Sequence, residues 1–145
     1  MRRRTGFEAG LLLAGTLLLA GLSACIAAEE VENSFDNYGQ AVDAGMIERG
    51  WIPAWLPETA VAIHEKHNLD TNAGLLFFTA GDQFTIPGEC HAARTAPSAT
   101  LTAEWWPEAR IMEMPVHACD GGLLAVDEAS STLYFSVKTT LFIPA

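Results

Sequence analysis

The side chains able to bind a metal or attack a bond gather at a few positions in this chain. His64, His67 and Asp70 form an H-x-x-H-x-x-D series. On a helix the three would share a face, and two imidazoles with a carboxylate suit Zn²⁺ or another divalent cation. On a strand, residues three apart point to opposite faces and hold nothing in common. The series also departs from the zinc-protease helix, because only Glu65 and Lys66 separate the two histidines. His91 adjoins Cys90, and His117 precedes Cys119 by two. A bridge between those cysteines is expected to draw the two imidazoles together as further ligands. Glu104 and Glu108 flank Trp105-Trp106-Pro107, an acid pair beside indoles that suits a sugar-binding cleft. Ser130-Ser131 lacks the G-x-S-x-G context of a hydrolase elbow. Trp51, Trp55, Trp105 and Trp106 are many indoles for a small domain. They form either core and lid or a docking surface, since tryptophan anchors dominate interfaces.

These residues depend on the elements that hold them. Phe35, Tyr38, Val42 and Met46 recur at helical spacing, which predicts a helix over about 35–48, capped by Asn33 or Ser34 and weakened by Gly39 and Gly45. Pro53 and Pro57 exclude regular helix from residues 50–57, an apolar extended segment expected to lay its indoles on the core. Residues 59–68 read as a strand, with a turn at Leu69–Asn72 and a buried strand at Leu75–Thr79, which makes a hairpin. Pro87-Gly88 marks a turn in a loop-rich stretch. Strands are expected over 100–106 and, at a sheet edge, over 111–118. A second hairpin spans 122–126 and 133–137. The expected fold is α+β: one small, strand-dominated domain with an N-terminal helix and one disulfide.

Charge narrows the possible partners. The chain has 145 residues and a formal charge of −10. Its first 24 residues carry Arg2, Arg3, Arg4 and only Glu8, so the remaining 121 carry −12. Such a segment has no electrostatic hold on nucleic acid, and anionic headgroups repel it. With 50% apolar residues overall the chain is nonetheless built to fold.

Arg2–Arg4 followed by the apolar run from Ala9 to Ala24 reads as an export leader rather than a span of the ~30 Å bilayer core. Thr5-Gly6-Phe7-Glu8 fits the twin-arginine signal poorly, which favours the general route. The run ends in Leu22-Ser23-Ala24-Cys25, which resembles the lipobox of bacterial lipoproteins. The resemblance implies cleavage before Cys25, diacylglycerol on its thiol and acylation of the new amino terminus. Small residues before the cut admit the peptidase, and only a thiol can form the thioether. Position +2 is Ile26 rather than the Asp of an inner-membrane retention signal. In an organism with two membranes this implies the outer one, facing the periplasm.

The resemblance divides the chain into a signal peptide (1–24), an acidic tether (25–33) and a globular domain (34–145). It also removes Cys25 from the cysteine arithmetic. Cys90 and Cys119 remain, and in an oxidising compartment they are expected to pair. A bridge closing about 30 residues contributes roughly 3–4 kcal/mol in the chain-entropy view. An exported thiol with a partner oxidises, which disfavours a Cys90–His91 nucleophile.

Arg49-Gly50-Trp51-Ile52-Pro53-Ala54-Trp55-Leu56-Pro57, continuing to Asp70-Thr71-Asn72 and Phe78, is similar to an uncharacterised group of bacterial envelope proteins bearing an RGW-[IL]-P-x-x-L-P element. That group brings no activity, substrate or cofactor. The sequence reading is therefore a lipid-anchored envelope protein, a non-enzymatic binding or interaction module with an envelope protein partner and no cofactor beyond its lipid. The alternative is a metal-binding protein or metal-dependent enzyme using His64, His67 and Asp70.

Overall fold

The computed structural model describes residues 29–81, 84–94, 99–119 and 121–137. The expected leader and Cys25 lie outside the described residues. Alternating apolar and polar positions produce seven strands: β1 (Glu30–Asn37), β2 (Val61–Asn68), β3 (Gly74–Thr79), β4 (His91–Ala93), β5 (Val116–Cys119), β6 (Gly122–Asp127) and β7 (Thr132–Val137). They form one antiparallel sheet in the order β1-β2-β3-β7-β6-β5-β4. Two meanders therefore meet where β3 pairs with β7, Phe77 opposite Tyr134. Both expected hairpins are present, as β2–β3 and β6–β7.

The helix expected over 35–48 is a correction. Residues 30–37 alternate Val31, Asn33 and Phe35 with Glu30, Glu32, Ser34 and Asp36. That two-residue period pairs them with β2 along its whole length. The acidic stretch expected as tether thus ends as an edge strand. What remains helical is α1 (Tyr38–Asp43), capped not by Asn33 or Ser34 but by Asn37, whose Oδ1 accepts from Gln40 N at 3.1 Å. Gly45 (φ 68°) and Gly50 (φ 78°) then take left-handed turns that stop further helix. The strand expected over 100–106 is also absent. Those residues form turns leading into α2 (Glu108–Ile111), and the strand expected from 111 starts only at Val116.

Each sheet face has its own cover and core. On one, the segment from α1 to Ala60 lays Met46, Ile52 and Leu56 over Ile63, Phe78, Leu124 and Phe135. On the other, residues 99–114 lay Leu101, Trp106 and Ile111 over Leu75, Ala125 and Tyr134. Fully burying a side chain such as Phe78 contributes about 1.5–3 kcal/mol. The expected bridge is present: Cys90 and Cys119 are joined with Cα atoms 4.2 Å apart, tying the start of β4 to β5.

Gly122 shows how tightly the start of β6 packs beside β7. A Cβ there would lie 2.3 Å from the Ser136 carbonyl oxygen and 2.7 Å from the Phe135 ring. The backbone contact cannot be relieved by a rotamer change. Gly122→Ala is expected to destabilise the fold by about 1–3 kcal/mol, read from urea unfolding; an unchanged midpoint would contradict this packing.

Candidate functional site

Strand β2 carries most of the ionisable chemistry and sorts it by alternation. A bulge between Val61 and His64, with Ala62 at φ 49°, sets the phase. Ile63, Glu65 and His67 then point to the face covered by α1 and the Trp51 segment, while His64 and Lys66 point to the other. Separating His64 from His67 in this way divides the metal series, and Asp70 stands exposed on the following turn. The three therefore do not share a coordination sphere. Among the described residues no group of three or more His, Cys, Asp or Glu side chains is arranged to hold a metal. His91 pairs with Ala118, and Ala92 pairs with His117. The bridge brings the backbones together, but alternation turns the two imidazoles to opposite faces.

The inner side holds a closed cluster. Glu65 is 1% exposed and His67 4%. Glu65 Oε1 lies 2.7 Å from His67 Nδ1, and its Oε2 accepts from Asn33 Nδ2 at 2.8 Å. Strand register places Asn33 directly opposite Glu65. The Trp51 indole stacks on the His67 imidazole, centroids 3.7 Å apart and planes 13° from parallel. Arg49 fixes the turn that delivers Trp51, donating from Nη2 to the Ala44 carbonyl at 2.6 Å and from Nε to Gly45 at 3.1 Å. Burial pushes the Glu65 carboxyl above the ordinary carboxylate range, opposed by the Asn33 hydrogen bond and by His67 and Arg49. The pair lies away from solvent. The cluster also gives the Arg49-Gly50-Trp51 motif a physical role: it locks the covering turn onto β1 and β2.

The other side is covered only in part, with Ser34 exposed and Tyr134 buried. Ser34, His64, Phe77 and Tyr134 form a row across four strands. His64 Nδ1 lies 2.9 Å from Ser34 Oγ, and the imidazole is 5.8 Å from the Trp105 ring. Trp105 Nε1 donates to Glu32 Oε1 at 2.7 Å. Lys66 Nζ donates to the Thr102 carbonyl at 2.7 Å and pairs with Glu30 at 3.0 Å. Glu32, Lys66, Thr102, Ala103, Glu104 and Trp105 line a cleft of about 520 Å³. Of the acid pair expected beside the indoles, Glu104 lines this cleft. Glu108 stands instead on α2, and the carboxylate that meets Trp105 is Glu32.

The tryptophans divide between the faces. Trp51 and Trp55 pack on the first core, and Trp105 and Trp106 on the second. Trp55 meets Phe135 edge-on at 5.0 Å, so its role is packing. Trp105 has the clearest place at an open surface. Ser130 proves a turn-builder, its Oγ donating to Asp127 Oδ2 at 2.7 Å. That bond, with Arg110 and the Ala129 amide, holds the Asp127 carboxyl below its ordinary range. The sequence suggested only a helix cap for Asn33 and a place in the RGW element for Arg49, and gave Glu32 and Glu65 no role in a site. Only the alternation of Glu65 between Ile63 and His67 hinted at a buried acid.

Residues 29–79 match the family described as the YbbD head domain. The match covers β1 to β3 with α1 and the turns that cover them, and so includes every residue of the closed cluster. Strands β4 to β7 lie outside it. No curated protein and no solved structure matches the chain.

Proposed function

We propose that this chain is a lipid-anchored protein of the bacterial cell envelope that acts as a non-enzymatic binding module. Cys25 carries the lipid, and the cleft beside Trp105 receives an envelope protein. The observation that carries the non-enzymatic reading is the closure of Glu65 and His67. The pair best suited to general acid–base work is buried beneath Trp51, with both Glu65 oxygens and His67 Nδ1 engaged within the fold. A general base must reach a substrate proton directly or through one water. The binding reading is supported by the cleft's combination of an indole, two carboxylates and an ammonium. Anchoring is supported by the leader and by Leu22-Ser23-Ala24-Cys25. Acyl chains contribute about 0.8 kcal/mol per buried methylene, enough with two or more chains to hold an acidic domain at a membrane. Ile26 favours the periplasmic side of an outer membrane.

Fractionating cells that express wild type or Cys25→Ala tests the anchor. The variant is expected in the soluble fraction and the wild type with membranes; a variant that stays tightly on membranes refutes lipidation. A photo-crosslinking residue at Glu104 tests the cleft in the same membranes. It is expected to trap an envelope protein, and the absence of any adduct removes the binding role from this surface.

A further inference from the structure

We infer that the end of the sheet formed by the β2–β3 turn, where Leu69 is exposed, is the surface of this domain that rests on the lipid bilayer. The inference rests on the anchor reading above and adds which way the domain faces. Strand β1 starts at Glu30 beside Asn68 and finishes at Asn37 beside Val61. The chain therefore enters the sheet at the end where β2 turns into β3. Leu69 N donates to the Glu29 carbonyl at 2.8 Å, which clamps the entering chain to that turn. Four peptide units separate Cys25 from Glu29 and span at most about 14 Å. The seven steps along β1 cover about 24 Å. The anchor is thus too short to bring the acyl chains to the opposite end of the sheet.

The turn holds one apolar side chain out among polar neighbours. Asn68 Oδ1 accepts from the amides of Asp70 and Thr71 and from Thr71 Oγ1, at 3.0, 2.9 and 3.0 Å. Within that rigid frame Leu69 is 51% exposed. Glu29, Glu30 and Asp70 oppose an anionic surface here, but Glu30 is paired with Lys66. Laying the domain flat along β1 would add Glu32 and Asp36 to the carboxylates facing headgroups, so charge favours the end-on pose. In that pose the β6–β7 turn faces away from the bilayer. So do the two clefts flanking it, about 310 and 270 Å³, which share Val126, Asp127 and Glu128.

The test uses the lipidated full chain in nanodiscs that contain anionic lipid and are doped with a lipid bearing a gadolinium chelate on its headgroup. Amide signals of residues 69–72 are expected to lose several-fold more intensity than those of residues 128–131. Greatest loss at 128–131, or equal loss along all of β1, overturns the end-on pose while leaving the anchor intact. Failure of the wild-type chain to co-purify with the discs is a separate result, which removes the anchor and the pose together.

Discussion

Replacing His67 with alanine is expected to lower folding stability by about 3–5 kcal/mol at pH 7. The substitution strips Glu65 of the imidazole 2.7 Å away and takes from Trp51 the ring it stacks on. A carboxylate left buried with only Asn33 loses far more than one hydrogen bond, because the desolvation of its charge is no longer offset. The loss should shrink as the pH falls, since protonating Glu65 removes the unpaired charge. The wild type carries the same sign more weakly. Folding raises the Glu65 pKa above its ordinary value of 4.5. Its contribution to stability is therefore fully present below that value and is lost as pH rises through the elevated one. Glu65→Gln keeps the shape and removes the titration, so it should flatten this part of the stability–pH curve. Urea unfolding of the three proteins between pH 4 and pH 8 reads all of this. A pH-independent loss for His67→Ala would mean that packing against Trp51, rather than the buried charge, sets its size.

Removing the Cys90–Cys119 bridge is expected to cost about 2–5 kcal/mol. The bridge closes a long loop, which restricts the unfolded chain. It also secures β4, a three-residue edge strand that pairs only with β5. The Cys90→Ala, Cys119→Ala double variant should therefore show two effects: a lower unfolding midpoint, and faster amide exchange confined first to His91–Ala93. Amides of β3 and β7, at the middle of the sheet, should keep their protection relative to global stability. Equal loosening of β3 and β4 would show that the bridge supports the sheet as a whole rather than its edge.

The legible parts of this fold were those where local pattern and final environment agree. Leu75–Thr79 is apolar enough to be buried on both faces, and Leu133–Val137 is the same, so both hairpins follow from their residues. The indole-rich segment around Pro53 and Pro57 could be neither helix nor inner strand, and it became a cover. Strand β1 was illegible for the opposite reason. Its three inward side chains are one valine, one asparagine and one phenylalanine, a weak signal until β2 lies beside it. Residues 100–106 failed because their tryptophans read as strand-formers, whereas the structure uses them as anchors for a turn-rich cover.

The chemistry divides along the same line. Two properties rest on residue type and order alone: an acidic segment behind a basic, apolar N-terminus, and the pairing of Cys90 with Cys119 that the proposed lipidation of Cys25 would leave. Such features depend on composition and short local spacing, which folding does not alter. What His64, Glu65 and His67 do was decided only in the tertiary structure. A bulge at Ala62 phased β2 so that one histidine met Ser34, Phe77 and Trp105 on one face and the other was buried with a carboxylate under Trp51 on the opposite face. Neighbours in sequence thus became residents of opposite faces, because a strand alternates where a helix would have aligned them.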